Sequence, residues 1–325
     1  MSKVRITLAC GAYDRTIPLQ DGTVSPPGID INFLPMRPSS MFRRQARHAE
    51  FDVSELSFST YCMLKARGDS RMIAIPVFPS RKFRHGFVFV NTAAVSGPSD
   101  LIGKRIGVHE YQNTASTWIR GILNDDHGVR KEEVSWYLGG LNAPKPEGDR
   151  IPMEFGANMD VHRLGDDEYL SEMLEAGEIQ AVISPEVPAS FRPDSPVRRL
   201  FPDFLEVERE YYRRTRIFPI MHTVVIRTDL YESHRWMART LFEAFEAAKE
   251  VGRERLRYTG ALYSSLPWLD HHVEEMDRLT EGQDLFAYGL EPNRHVLETF
   301  LGYSRDQGLI DRPLVLEELF APEVL

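Results

Sequence analysis

Apolar and polar positions along this chain alternate in short blocks that predict strands followed by helices. Short apolar runs rich in β-branched residues predict buried strands. They lie at residues 4–8, 29–34, 51–53, 72–78, 87–90, 103–108, 181–183 and 224–226. Segments with apolar positions three and four apart predict helices. They lie at residues 41–48, 54–66, 114–123, 169–176, 233–258, 293–303 and 316–320. This order of elements predicts an α/β fold with mainly parallel sheets.

The segment between two of these strands concentrates cations. Arg81, Lys82, Arg84 and His85 fall within five residues, with Phe83 among them. If this stretch is extended, Arg81, Phe83 and His85 share one face of the strand. Fixed positive charge and a titratable imidazole at the end of a buried strand suit a small aromatic acid. From the spacing alone, a solvated cationic turn is the alternative.

Two strand-to-helix junctions offer free backbone N–H groups. In one, Ser54 is a plausible N-cap of the helix predicted after residue 53. In the other, Glu110 and Tyr111 follow a strand, and Asn113 or Thr114 caps the next helix. Such junctions lie at the carboxyl ends of strands, where open α/β sheets bind ligands and helix N-termini favour anions.

The length and net charge of the chain limit the classes of function that it can have. A chain of 325 residues predicts about two domains. A net charge of -9 without a basic stripe argues against a nucleic-acid partner. A local basic pocket in an acidic protein remains compatible with a small anion. The chain has no glycine-rich nucleotide-binding motif.

The beginning of the chain and its two cysteines give an expectation for the cellular compartment of the protein. The apolar stretch before Cys10 is too short for a secretory signal, so it predicts the first strand. No segment approaches the roughly 20 apolar residues of a membrane span, and no membrane partner is expected. Cys10 and Cys62 form no disulfide framework. These features predict a cytoplasmic protein, and they are compatible with a homo-oligomer.

Several short segments occur in a specific combination. They are YDRTIPL (13–19), EFDVSE (50–55), AIPVFPSRKFRH (74–85), GVHEYQ (107–112), ASTWIRG (115–121), LFPD (200–203), IFPIMH (217–222), YGL with NR (288–290 and 293–294) and EELFA (317–321). This combination resembles the 4,5-dihydroxyphthalate decarboxylase family, and the resemblance runs from about residue 6 to residue 321.

The resemblance implies a fold similar to type II periplasmic solute-binding proteins. Such a fold has two α/β lobes with the ligand held in a cleft between them. On that pattern residues 1–90 and 225–325 form a discontinuous first lobe, and residues 91–224 form the second. Residues 87–90 and 223–226 would be the crossover strands.

The resemblance also implies a carboxy-lyase that converts 4,5-dihydroxyphthalate to protocatechuate and CO2. Direct loss of CO2 would leave an aryl carbanion, whereas deprotonating the hydroxyl para to the carboxylate lets the ring carbon accept a proton first. This route needs a base, an acid and an anchor for the second carboxylate. It requires no metal or organic cofactor. Residues 139–163 and 184–186 depart from the family pattern, which leaves the ring substituents open.

Candidate residues for these roles follow from the matched segments. The catalytic candidates are His85 and His222, with Glu110 as a proton donor if burial raises its pKa. Cationic neighbours would disfavour protonation of His85 and keep it available as a base. The expected substrate-binding residues are Arg15, Ser54, Arg81, Phe83, Arg84, Tyr111, Thr114 and Arg120.

Two other functions remain open at this level. A non-catalytic aromatic-acid binding protein is one, because fold does not determine function. A metal-dependent decarboxylase or hydrolase is the other, with His85, His222 and Glu110 as ligands, since these residue types bind zinc or manganese.

Overall fold

The computed structural model describes residues 3–145 and 148–325. Its strands are β1 (Val4–Cys10), β2 (Ile29–Pro35), β3 (Val53–Ser57), β4 (Met72–Ile75), β5 (Val88–Asn91), β6 (Arg105–Val108), β7 (Ser135–Leu138), β8 (Asp160–Arg163), β9 (Ala181–Ile183), β10 (Val197–Arg199) and β11 (His222–Arg227). Its α-helices are α1 (Ile17–Gln20), α2 (Pro38–His48), α3 (Phe58–Ala66), α4 (Thr114–His127), α5 (Leu170–Ala176), α6 (Phe204–Thr215), α7 (Thr228–Ser233), α8 (Trp236–Leu256), α9 (Leu269–Thr280), α10 (Arg294–Asp306) and α11 (Leu316–Leu319).

The first compact unit comprises the described residues of Met1–Arg81, Ile220–Glu298 and Pro313–Leu325. Its five-stranded sheet has the order β2-β1-β3-β11-β4. β1 pairs in parallel with β2 and β3, whereas β11 runs antiparallel to β3 and β4. All five residues of β3 are buried, because this strand has a neighbour on each side and helices pack over the sheet.

The second unit comprises the described residues of Lys82–Pro219 and Thr299–Arg312. Its six-stranded sheet has the order β10-β5-β9-β6-β7-β8. β6, β7, β8 and β9 pair in parallel, and β5 runs antiparallel to β9 and β10. Phe89, Leu170, Leu174 and Val182 are fully buried in a core between this sheet and α5.

The boundaries between the two observed units differ from those of the expected lobes. The expected boundaries were residues 90 and 225, with residues 299–312 in the first lobe. In the structure β5 belongs to the second unit because it pairs with β9 and β10. The second unit also takes Thr299–Arg312, so α10 is divided between the two.

Several elements differ from the sequence expectation. The helix expected from residue 54 begins only at Phe58, because β3 continues to Ser57 and pairs with β11 along its length. Pairing between distant strands here outweighs the local capping preference of Ser54. β7, β8, β10 and α6 were not predicted. The two sheets are mixed, with a majority of parallel pairings.

None of the helices in the described residues is both long enough and apolar enough to cross a membrane. The longest, α8, has 21 residues, but charged side chains recur along it. Its apolar residues form one stripe, with Met237, Leu241, Phe245 and Ala248 buried. That pattern is typical of a helix packed on one side of a sheet.

Candidate active site

A fully buried carboxylate, Glu55, lies at the centre of β3 in the first unit. One oxygen, Oε1, lies 2.5 Å from His222 Nδ1 and accepts a hydrogen bond from the Tyr13 hydroxyl at 3.0 Å. The other, Oε2, accepts from the backbone N–H of Gly11 at 2.8 Å and contacts Cys10 Sγ at 3.4 Å. We call Glu55, His222, Tyr13, Gly11 and Cys10 the Glu55 cluster.

The Glu55 cluster holds its carboxylate in the ionised form. Burial alone would raise the pKa of Glu55, but the charge of His222 and hydrogen bonds from His222, Gly11 and Tyr13 hold it below its usual value. Burial and the charge of Glu55 raise the pKa of both Tyr13 and Cys10. The tyrosine and the thiol therefore remain protonated and face the carboxylate as donors.

His222, like Tyr13, is a residue of the cluster with a partly exposed side chain. It begins β11, its side chain is 14% exposed, and its ring meets the edge of Phe42 with centroids 4.7 Å apart. A carboxylate only accepts hydrogen bonds, so the contact with Glu55 places a proton on Nδ1. In the neutral imidazole, Nε2 is then the basic nitrogen.

Arg15 lies beside this cluster, between two aromatic rings. Its guanidinium carbon is 4.4 Å from the ring centroid of Tyr13 and 4.5 Å from that of Phe286. Nε donates to the carbonyl oxygen of Pro79 at 2.6 Å, and Nη1 pairs with Asp14 at 2.8 Å. These contacts fix a cation next to the Tyr13 side of the Glu55 cluster.

Arg81 is a second cation of the first unit and is buried. Its Nη2 donates to the carbonyl oxygen of Ala287 at 2.7 Å and to the side-chain oxygen of Asn293. Its Nε has no hydrogen-bond partner, and no carboxylate of the described residues forms an ion pair with it. Burial lowers the pKa of Arg81 to about 10, which still leaves it charged at neutral pH. The charge of Asp284 acts on Arg81 without forming an ion pair, and the unpartnered Nε of this buried cation favours binding of an anion.

The expected extended face of residues 81–85 is not found. Arg81 belongs to the first unit, where it bridges to Ile220, and the chain then enters the second unit. A single 3-10 turn, His85–Phe87, replaces the strand at its far end. Arg81 and His85 therefore do not share the face of one strand.

His85 lies in an aromatic environment within the second unit. Its ring centroid is 5.0 Å from that of Tyr211 and 5.7 Å from that of Phe201. Nδ1 is 3.9 Å from Glu208 Oε1, which is too long for a hydrogen bond. Burial lowers the pKa of His85 to about 4, so the imidazole is neutral. It lines a cavity of about 530 Å³ with side chains of α6 and the end of α4.

Glu110 is ionised rather than protonated, which corrects the expectation that burial makes it a proton donor. It is buried, with Lys145 Nζ 2.8 Å and Arg150 Nη2 3.0 Å from its two carboxylate oxygens. Burial alone would raise the pKa of Glu110, but the two cations hold it below its usual value. The pairing makes Glu110 a structural ion-pair partner in the second unit.

This ion pair predicts a loss of stability in acid. A carboxyl whose pKa is lowered by folding stabilises the folded state above its unfolded value of about 4.5, and this contribution is lost as the pH falls through the lower folded value. We expect Glu110→Gln to lower the free energy of unfolding by about 3 kcal/mol at pH 7, because two buried cations lose their partner. Urea unfolding at pH 7 and pH 4 measures both effects.

The matched control for this prediction is Glu133→Gln, which removes an exposed carboxylate paired with Arg130 in the same unit. Exposed ion pairs contribute little, so its unfolding curve should stay close to that of the wild type. Equal losses in the two variants would contradict a special role for the buried pair.

Tyr111 and Arg120 contact each other in the second unit. The Arg120 guanidinium lies 3.8 Å from the Tyr111 ring centroid, and Nη2 donates to the Tyr111 carbonyl oxygen at 2.7 Å. Nε donates to Gln307 at 2.7 Å. Asn113 rather than Thr114 caps α4, since its side chain accepts from the N–H of Ala115 at 2.9 Å. Thr114 is buried at the first position of that helix.

The other three expected binding residues also have local contacts. Ser54 lies within β3, and its hydroxyl donates to the Glu55 carbonyl oxygen at 2.8 Å, so it is not the expected helix cap. The ring of Phe83 contacts Phe218 with centroids 4.7 Å apart. Arg84 is buried, and its Nη1 donates to the Pro185 carbonyl oxygen at 3.4 Å.

His222, Arg15 and Arg81, which the sequence offered as candidates, lie in one unit, but sequence reasoning did not name Glu55, Tyr13 and Asn293 as their partners. Glu55 carried a usable signal, because a single carboxylate in a strand of otherwise apolar or small residues must be paired when buried. Asn293 carried no such sequence signal, since its contact with Arg81 joins positions 212 residues apart.

Residues that could bind a metal are dispersed in the part of the chain that the structure describes. Within residues 3–145 and 148–325, no three or more His, Cys, Asp and Glu side chains are grouped so as to hold a metal ion. Cys10 and Cys62 are both buried as free thiols.

Two proteins named as decarboxylases are similar to this chain, one of them over its whole length. A 4,5-dihydroxyphthalate decarboxylase of Comamonas testosteroni is 39% identical over 327 residues, which cover 100% of this chain and 98% of the relative. A 4,5-dihydroxyphthalate decarboxylase of Pseudomonas putida is 40% identical over 215 residues, which cover 66% of this chain and 83% of the relative. No protein-family model matches the chain.

Solved structures show the same fold at low sequence identity. The alkanesulfonate-binding protein SsuA from Xanthomonas axonopodis pv. citri matches with a TM-score of 0.54 and 10% identity, covering 100% of this chain and 99% of that one. The periplasmic aliphatic sulphonate binding protein SsuA from Escherichia coli matches with a TM-score of 0.53, the same identity and the same coverage. The expected α/β fold of the type II periplasmic-binding-protein class is therefore confirmed.

These relatives also confirm the family resemblance drawn from the short segments, and they favour an enzyme over a non-catalytic binding protein. Identity of 39% over the whole chain is the finding that decides this point. The chain belongs to the 4,5-dihydroxyphthalate decarboxylase family, a family of carboxy-lyases.

Proposed function

We propose that this chain converts 4,5-dihydroxyphthalate to protocatechuate and CO2. The observation that carries the proposal is the 39% identity to a decarboxylase named for this substrate, over 100% of the chain. The first unit supports it, because a histidine held by a buried carboxylate lies in the same unit as two cations. A base and anion-binding groups are two of the three things that this substrate requires, and the third is an acid for the ring carbon.

The reaction exchanges a carboxylate for a proton on the aromatic ring. Removing the proton from the hydroxyl para to the departing carboxylate pushes electrons into the ring. The carbon that bears the carboxylate then accepts a proton and becomes tetrahedral. When the C–C bond breaks, its electron pair restores the aromatic ring, CO2 leaves, and the phenolate takes back a proton. One substrate and one proton give one protocatechuate and one CO2.

His222 is the base in this proposal. Its Nδ1 is occupied by Glu55, so Nε2 is the nitrogen that takes the hydroxyl proton. General acid–base groups typically contribute about 10²–10⁴-fold to a rate. The step needs no movement of Glu55, which stays ionised throughout.

Arg81 and Arg15 bind the carboxylate that is retained. A guanidinium can bind a carboxylate through two parallel hydrogen bonds, and Arg81 keeps an unpartnered Nε for one of them. The departing carboxylate must not be held as firmly, since only interactions stronger in the transition state accelerate the reaction. All the steps assigned here use residues of the first unit.

The decisive experiment incubates the purified protein with 4,5-dihydroxyphthalate and measures protocatechuate by chromatography and CO2 release in parallel. We expect equal amounts of the two products. Phthalate, which lacks the para hydroxyl, is the matched control and should give neither product. Exhaustive chelation should leave the rate unchanged, whereas a loss restored by one divalent ion would favour the metal-dependent alternative. Binding of 4,5-dihydroxyphthalate without any turnover would contradict the proposal.

We also propose that the protein acts in the cytoplasm, in the degradation of phthalate. Its two cysteines support this location, because both are buried free thiols, as is usual in a reducing compartment. Cell fractionation followed by the protocatechuate assay tests the location, and activity recovered with the periplasmic fraction would contradict it.

A further inference from the structure

We propose that Glu55 is a positioning residue that fixes the orientation and protonation of His222, an inference that rests on the proposed function. Glu55 does not touch substrate in this role. It acts through its contact with His222 Nδ1. The segment EFDVSE (50–55) ends at this residue, but the inference follows from its contacts in the structure.

The geometry holds the carboxylate in one orientation. Each oxygen of Glu55 has its own donors, with the Tyr13 hydroxyl and His222 on Oε1 and the Gly11 N–H on Oε2. Its strand is paired with β11, and Val224 of β11 lies opposite Glu55 in the register. The strand pairing that places Glu55 therefore also places His222, two residues before Val224.

This arrangement has two chemical consequences for the imidazole. The carboxylate accepts the Nδ1 proton, so only one tautomer of the neutral ring fits, and that tautomer exposes a basic Nε2. The carboxylate also stabilises the imidazolium that forms when Nε2 takes the substrate proton. A neutral amide in place of the carboxylate would accept the same hydrogen bond but would lose the second effect.

Few charged or titratable groups face this pair. His222 meets Glu55 and the apolar ring of Phe42. Glu55 contacts Tyr13 and Cys10, both of which stay protonated. Arg15 is a nearby cation whose charge acts to lower the pKa of Tyr13 and of Cys10. A change at Glu55 should therefore act directly on His222.

The test compares Glu55→Gln with Glu55→Asp in steady-state kinetics. We expect Glu55→Gln to lower kcat about 10²-fold, with KM changed by less than about threefold. The imidazolium has lost its negative partner in this variant, whereas Glu55→Asp keeps the charge and should restore most of the lost kcat. A merely structural role would lower the yield of folded protein, while the folded fraction of Glu55→Gln kept the wild-type kcat.

Asp52→Asn is the matched control, because it makes the same change from acid to amide three residues earlier. Asp52 accepts hydrogen bonds from Thr7 N and Oγ1 at 2.8 and 2.9 Å and pairs with Arg227. Its loss should affect unfolding while kcat stays within about twofold of the wild type.

The outcomes separate this inference from the proposed function. A large loss of kcat in His222→Gln together with wild-type kinetics in Glu55→Gln would overturn the positioning role alone. Wild-type kcat in His222→Gln would overturn His222 as the base and the positioning role of Glu55, while the proposed conversion would stand. Absence of protocatechuate with the wild-type protein would overturn the proposed function itself. If Glu55→Gln does not fold, Tyr13→Phe is measured in its place, since it removes one hydrogen-bond donor from Glu55 Oε1. We expect it to lower kcat roughly fivefold, and an unchanged kcat would count against the proposal.

Discussion

Replacing His222 with glutamine is expected to lower kcat for 4,5-dihydroxyphthalate by about 10²–10⁴-fold. Glutamine has a similar reach and can still hydrogen-bond to Glu55, but it has no nitrogen that accepts a proton at neutral pH. Phthalate, which lacks the reacting hydroxyl, should still bind to the variant. Steady-state kinetics gives kcat and KM, and calorimetric titration with phthalate gives the affinity.

The matched control is His271→Gln, which makes the same replacement on α9 of the same unit. His271 is exposed, and its ring is 3.7 Å from Glu275. That variant should keep the wild-type kcat. An His222→Gln variant with wild-type kcat would show that the hydroxyl proton goes to another group.

Replacing Arg81 with methionine is expected to raise KM by about 10- to 100-fold with a smaller change in kcat. Hydrogen bonds to charged groups contribute about 1.5–3 kcal/mol, and each 1.4 kcal/mol corresponds to a tenfold change in affinity. Methionine fills a similar volume without the charge. Binding of phthalate to the variant, measured by calorimetry, should weaken by the same factor as KM rises.

Arg81→Met also removes a donor from the Ala287 carbonyl oxygen and from Asn293, so thermal unfolding of the variant must accompany the kinetics. The neighbouring Arg294 is the control, because it is paired with Glu291 and Glu317 at the surface. Arg294→Met should leave KM unchanged. Wild-type affinity in a folded Arg81→Met variant would place the anchor elsewhere, with Arg15→Met the next variant to measure.

The order of strands and helices was largely readable from periodicity, because buried strands and amphipathic helices have different spacings. β1, β2, α4 and β9 were found within a few residues of their observed bounds. β3 was not, since its extension through Ser57 depends on pairing with β11, about 165 residues later in the chain. A short strand such as β8, with one of its four residues half-buried and the rest exposed, gives no apolar pattern to read.

The sequence offered candidate residue types for the site, but it could not give their protonation states. The pKa of Glu110 depends on Lys145 and Arg150, which lie 35 and 40 positions away, so its burial alone predicted the wrong direction. His85 was expected to be neutral because of neighbouring cations, whereas burial is the larger cause. Local spacing describes which groups are near in the chain, but electrostatics depends on which groups are near in space.

The position of β11 has a consequence for the order in which the chain acquires its structure during synthesis. β11 completes the first sheet by inserting between β3 and β4, so those two strands wait for about 150 further residues to be translated. During that interval, the sheet strands of Lys82–Pro219 are already complete, and domains generally fold as units as they emerge. Because His222 is the first residue of β11, the proposed base arrives with the strand that closes the first sheet. A nascent chain stalled before that point would carry Glu55 in an unfinished sheet, with an open strand edge of the kind that chaperones bind and that aggregates.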